Sequence, residues 1–170
     1  MCKYYLIVIF SFLLLGINAQ TPNFNEFIGV EYRSLTELDY FSNYSEMGGS
    51  MIESLDSEKF ALEHYALDSI HLIVLVIVKV NELGKAQYTF LDAVKIILQN
   101  NEYIQYGLCR LDEGYNSDLI ASYKSSSQKE EFYSDIIFAW TADRQSKRIV
   151  SIETVGIDCI NEGYGLFNDE

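Results

Sequence analysis

The chain has 170 residues, 49 % of them hydrophobic and 14 % aromatic, and its 25 acidic against 12 basic side chains give a formal charge of −13. So acidic a surface repels phosphate backbones and anionic headgroups, which argues against nucleic acid and membrane surfaces as partners. The length suits one domain that buries about 68 to 70 % of its unfolded surface without metal staples.

Met1 to Gln20 read as a secretory signal. Lys3 forms the positive n-region, Leu6 to Leu15 the apolar h-region, and Ile17-Asn18-Ala19 a small-residue end with cleavage after Ala19. The apolar run is about half the length needed to span a bilayer, so no membrane span is expected once the signal is cleaved. Removing residues 1–19 takes away Lys3 and leaves 11 basic and 25 acidic side chains, a charge of −14. The expected location is secreted or periplasmic. Export also leaves Cys109 and Cys159 as an even pair, and an oxidising compartment makes one disulfide the natural expectation, stabilising by roughly 3 to 4 kcal/mol.

Residues 20–68 carry ten Asp or Glu against Arg33 and Lys59, broken by Met47-Gly48-Gly49-Ser50. Phe27 to Tyr32 suit a short strand. Phe60, Ala61 and His64 recur at helical spacing, which predicts a short helix over Ser57–Tyr65 capped by Asp56 or Ser57. Aromatics are too many here for ordinary disorder, so this segment is expected to pack onto a sheet, making 20–170 a single domain.

Residues 69–170 form the expected core. Ser69 to Leu98 hold β-branched runs split by Asn81-Glu82-Leu83-Gly84-Lys85, the pattern of a central β-hairpin. Its first strand places Leu72, Val74, Val76, Val78 and Val80 on one face and Ile73, Leu75 and Ile77 on the other, so both faces need cover. In the second strand Tyr88, Phe90, Val94 and Ile96 share a face on which Asp92 does not fit. A bulge or a hydrogen bond is expected there, because an unpaired buried carboxylate is costly. Tyr103–Leu111 and Asp118–Lys124 read as further strands around the turn Asp112-Glu113-Gly114. Ser127 and Glu130 have capping-box spacing, predicting a short helix from Gln128 to about Asp135 that leads into a strand over Ile136–Ala142. Arg148–Val155 returns as the last strand. The fold class is therefore α+β and β-rich: an antiparallel sheet of about five or six hairpin-built strands, one or two short helices and one disulfide.

Chemical motifs are scarce. No phosphate loop, dinucleotide fingerprint or Gly-x-Ser-x-Gly is present, and no cofactor or family resemblance is implied. No metal site is expected: His64, Asp68 and His71 come closest, but Asp68-Ser69 breaks the helix on which they would share a face. A recognition surface would draw on Trp140, Asp143 and Tyr164, aromatics and an acid near a disulfide-anchored loop, with Asp92 as the misplaced carboxylate. The leading expectation is a non-enzymatic exported domain that binds a cationic protein or peptide. Its rivals are a hydrolase using two carboxylates and a carrier of a small ligand.

Overall fold

The computed structural model describes residues 24–53, 57–124 and 130–164; residues 1–19, the expected signal, lie outside them. It is β-rich, with antiparallel sheets, a disulfide and, among the described residues, no helix beyond 3-10 turns at Phe24–Phe27, Leu35–Glu37 and Asp39–Phe41. No helix among the described residues is long and apolar enough to cross a membrane.

The strands are β1 (Glu31–Tyr32), β2 (Ser45–Met51), β3 (Lys59–Leu67), β4 (Ile70–Val80), β5 (Ala86–Ile97), β6 (Glu102–Tyr106) and β7 (Cys109–Leu111). They continue with β8 (Gly114–Asn116), β9 (Leu119–Lys124), β10 (Phe132–Tyr133), β11 (Ile136–Asp143), β12 (Arg148–Ile152) and β13 (Ile157–Ile160). Three sheets result, in the orders β1-β5-β4-β3-β2, β12-β11-β9-β6 and β10-β13-β7-β8.

The expected hairpin is the centre of the first sheet. Asn81 closes its turn: the side-chain oxygen accepts hydrogen bonds from the Leu83 and Lys85 amides at 3.0 Å, and Gly84 takes φ 74°. Both faces of β4 are covered as its sequence demands. Leu72, Val74 and Val76 meet Leu35, Phe41 and the other aromatics of the N-terminal segment. Ile73, Leu75 and Ile77 meet Ile120, Ala142 and Trp140 of the second sheet. The far face of that sheet packs Leu119, Ala121 and Ala139 on Ile157 and the disulfide of the third sheet.

Two helix expectations are corrected. Residues 59–67 form β3, because Phe60 and Leu62 enter one core while Ala61 and Tyr65 enter the other, and a strand buried on both faces shows no polar alternation. The cover for the second face of β4 is a sheet and not a helix near Gln128. Residues 128 and 129 lie outside the described part, and Phe132–Tyr133 pair with Ile160 and Cys159 as β10. The single sheet expected becomes three, since β8, β10 and β13 are too short to show a period in sequence.

Asp92 sits beside a bulge where the register of β4 and β5 shifts between Leu75 and Val76. The extra residue, Leu91, sends Tyr88 and Phe90 to one core and Leu91 and Ile96 to the other. Asp92 Oδ2 accepts a hydrogen bond from the Ile149 amide at 2.9 Å, Oδ1 accepts one from the Ala93 amide at 3.0 Å, and Arg148 lies at 3.6 Å. The carboxylate thus ties β5 to β12 across the two sheets. Asp92→Leu is expected to lose about 2 kcal/mol in urea unfolding, because the Ile149 amide is left without an acceptor; a gain in stability would show that the carboxylate is held there at a cost.

Candidate functional site

The two histidines of the chain lie on adjacent strands. His64 in β3 and His71 in β4 both point to the side of the first sheet that faces the second, and His64 Nε2 lies 2.8 Å from His71 Nδ1. One nitrogen donates and the other accepts, so the pair shares one proton between its facing atoms. The Tyr106 ring stands edge-on to His64 at 5.5 Å.

A cleft of about 370 Å³ opens here, lined by Gly49 and Ser50 of β2, His64, Ile104, Gln105 and Tyr106 of β6, Leu108, and Glu162 beyond β13. β2 and β6 are edge strands of the first and second sheets, so the cleft lies at an open side of the sandwich. Burial, and after it the Glu162 charge, push the Tyr106 phenol up. Tyr123, stacked at 4.5 Å on Tyr133, is pushed up to about 12 by burial, by the two neighbouring tyrosines and by the same Glu162. Glu162 therefore places a negative charge in the same cleft as the Tyr106 phenol.

Burial, with the neighbouring His71 second, holds His64 down at about 4, and burial lowers His71 as well. Both rings are neutral in the fold at pH 7. A depressed folded-state value means that the unfolded chain takes up protons first as pH falls. The stability is complete above the unfolded value near 6.5 and is lost as pH drops toward 4. Burial raises Glu63, whose effect has the opposite sign. The loss of stability between pH 7 and 4.5 is therefore expected to be about 2 kcal/mol smaller in His64→Gln than in the native chain, since Glu63 titrates alike in both. Parallel curves in urea would refute this.

The residues singled out in the sequence do not converge. No hydrogen bond, ion pair or ring contact joins Trp140, Asp143, Tyr164 and Asp92 to one another among the described residues. Trp140 packs into the core between the first two sheets, 6.0 Å from Phe138. Tyr164 is half exposed, its amide bonded to the Asn161 carbonyl at 2.9 Å. Asp143 closes the β11–β12 turn, accepting from the Ser146 hydroxyl at 2.6 Å, which holds its carboxyl below the ordinary range. Asp68 belongs to the β3–β4 turn at φ 52°. Among the described residues no three His, Cys, Asp or Glu side chains are grouped to hold a metal ion.

Asp143 also lines a larger open groove of about 750 Å³ with Ser57, Glu58, Asp118 and Arg144. Two of its three carboxylates have basic partners: Arg144 lies 3.3 Å from Asp118 and Lys147 lies 3.1 Å from Glu58. Among the described residues no Lys or Arg lines the histidine cleft. Ser50, Gln105, Tyr106 and Glu162 carry no motif in sequence, since they come from separated segments; only the two histidines could have been flagged. No protein-family model, curated protein or solved structure matches the chain.

Proposed function

We propose that the chain is an exported, non-enzymatic domain that binds a cationic protein or peptide, one of whose lysine or arginine side chains enters the cleft beside Tyr106 and Glu162. The lining of that cleft carries the reading. It offers a carboxylate, an aromatic ring with its phenol, a hydroxyl and one uncharged histidine, His64, and no Lys or Arg lines it among the described residues. An ammonium or guanidinium group gains from the carboxylate and from the ring face. The surrounding charge of −14 steers such a partner to the surface and raises its rate of encounter.

Export rests on the pattern of residues 1–19, and the disulfide is compatible with an oxidising compartment. A two-carboxylate hydrolase needs two facing acids. Glu162 is the one acid lining this cleft among the described residues, and in the larger groove Asp118 and Glu58 have basic partners while Asp143 is bonded to the Ser146 hydroxyl in its own turn. Carriage of an apolar ligand between the sheets is disfavoured because Ile73, Leu75 and Ile120 fill that space and are fully buried.

Calorimetric titration of the mature chain with an acetylated, amidated (Lys-Val)4 peptide tests the reading. Binding is expected to weaken with added salt, to vanish with the (Gln-Val)4 analogue, and to fall about tenfold in Glu162→Gln, the loss of one charge-assisted hydrogen bond. Equal binding by Glu162→Gln and the native chain would overturn the cleft as the site, and no binding of the lysine peptide would overturn the reading.

A further inference from the structure

Beside the cleft runs β2, the outermost strand of the first sheet, paired only with β3. The Ile52 amide donates to the Phe60 carbonyl at 2.9 Å. By the alternation of an antiparallel ladder, Ser50 then also faces β3, and the amide and carbonyl groups of Gly49 and Met51 point outward. Nothing in the composition of this edge guards it. The segment Ser-Glu-Met-Gly-Gly-Ser-Met carries one charge, Glu46, with no lysine and no proline. Its bulge, between Glu46 and Gly48, disturbs only the first half. Met47 and Met51 are more than half exposed. Proteins ordinarily protect such an edge with basic residues, proline or a cover, because it is a template for another strand.

From these features we infer that the partner binds as an extended strand added to the outer edge of β2, with its backbone bonded to Gly49 and Met51 and a basic side chain turned into the neighbouring cleft. The inference rests on the reading above and deepens it. Main-chain bonds supply affinity, and the cleft between β2 and β6 supplies the preference for positive charge, the division of labour usual in strand addition. Glu46 on the strand and Glu162 across the cleft select a cationic segment over an acidic one. Gly49 also fixes the path of the edge: a Cβ there would meet the Leu62 carbonyl oxygen at 2.8 Å, so β2 lies against β3 as only glycine permits.

The test uses the mature chain, the acetylated, amidated (Lys-Val)4 peptide, and two backbone-methylated forms of it, one N-methylated at every lysine amide and one at every valine amide. In an added strand only one set of amides faces β2. One methylated form is therefore expected to lose binding at least tenfold while the other binds like the parent. Equal behaviour of the two forms, whether both bind or both fail, overturns strand addition. Failure of the unmethylated peptide overturns the reading on which the inference rests. Met51→Pro locates the edge, because its missing amide is one that points away from β3. At least a tenfold loss of peptide binding is expected in Met51→Pro with native circular dichroism, and native affinity in that variant overturns the assignment to β2. A concentration-dependent dimer in sedimentation that Met51→Pro abolishes would mean that a second copy of the chain occupies the edge, and would overturn the proposal as well.

Discussion

Phe41→Ala is expected to cost about 3 to 5 kcal/mol in urea unfolding, the range for emptying a buried aromatic site. Phe41 is fully buried and lies at the centre of the N-terminal layer, with its ring 4.7 Å from Phe27, 4.8 Å from Tyr40 and 6.4 Å from both Phe24 and Phe90. That layer has little ladder of its own: Glu31 and Tyr32 pair with β5, and Gly29 and Val30 exchange two backbone hydrogen bonds with Phe90. It is held by packing and by polar ties to β3, chiefly the Tyr32 hydroxyl donating to Glu63 at 2.7 Å. Burial raises the Glu63 carboxyl, so the tie works in a dry site where losing a neighbour is costly. Removing the ring leaves a cavity over Leu72, Val74 and Val76, the face of β4 that water must not reach. Hydrogen exchange should show residues 24–44 losing protection together with β3 and β4. A cost below about 1 kcal/mol, with exchange confined to residues 24–44, would mean that the layer is separable from the sheet.

How much of this was legible in the sequence depends on how local each signal was. Both faces of β4 were readable because nine of its eleven residues are aliphatic, with Leu72 to Val78 unbroken, and from that came the need for two covers, one of them the aromatic N-terminal segment. β3 was not readable: Phe60, Ala61 and His64 fit a helical period as well as Phe60, Leu62 and His64 fit a strand, and burial on both sides removes the polar residues that would decide. β2 has no strand propensity at all, and its conformation is imposed by pairing with β3. The oddity of Asp92 was visible, while its partner, the Ile149 amide 57 positions away, was not. The cleft fails to appear for the same reason. Ser50, Tyr106 and Glu162 meet only because two sheet edges end on the same side of the sandwich, and no spacing within the chain records that.

The Cys109→Ser/Cys159→Ser double variant is expected to lose about 4 kcal/mol of stability, the chain-entropy value for a loop closed over a separation of 50 residues. Parity and compartment predicted the bond; its place in the fold indicates what it holds. The two cysteines face each other in the ladder of β7 and β13, where three residue pairs join those two strands to each other. The third sheet is built from strands of two to four residues, too short to be stable without tertiary support. Both sulfur-bearing residues are fully buried against Leu119, Ala121 and Ala139 of the second sheet. Arg110 in β7 and Asp158 in β13 add a part-buried bidentate pair at 2.7 and 2.6 Å, a charge-assisted contribution that is smaller than that of the covalent link. The disulfide is thus the principal restraint on this layer, and its loss should act there first. Replacing both cysteines avoids a buried lone thiol, and the Cys109→Ala/Cys159→Ala pair controls for the two hydroxyls that serine would bury. Hydrogen exchange is expected to show β7, β8, β10 and β13 opening in the variant while β3, β4 and β5 keep their protection. The alternating peptide is expected to bind about tenfold more weakly, as in Glu162→Gln, because β2 belongs to the first sheet while Glu162 depends on the end of β13. Uniform loss of protection across all three sheets would instead mean that the molecule unfolds as one cooperative unit from which the third sheet cannot be detached.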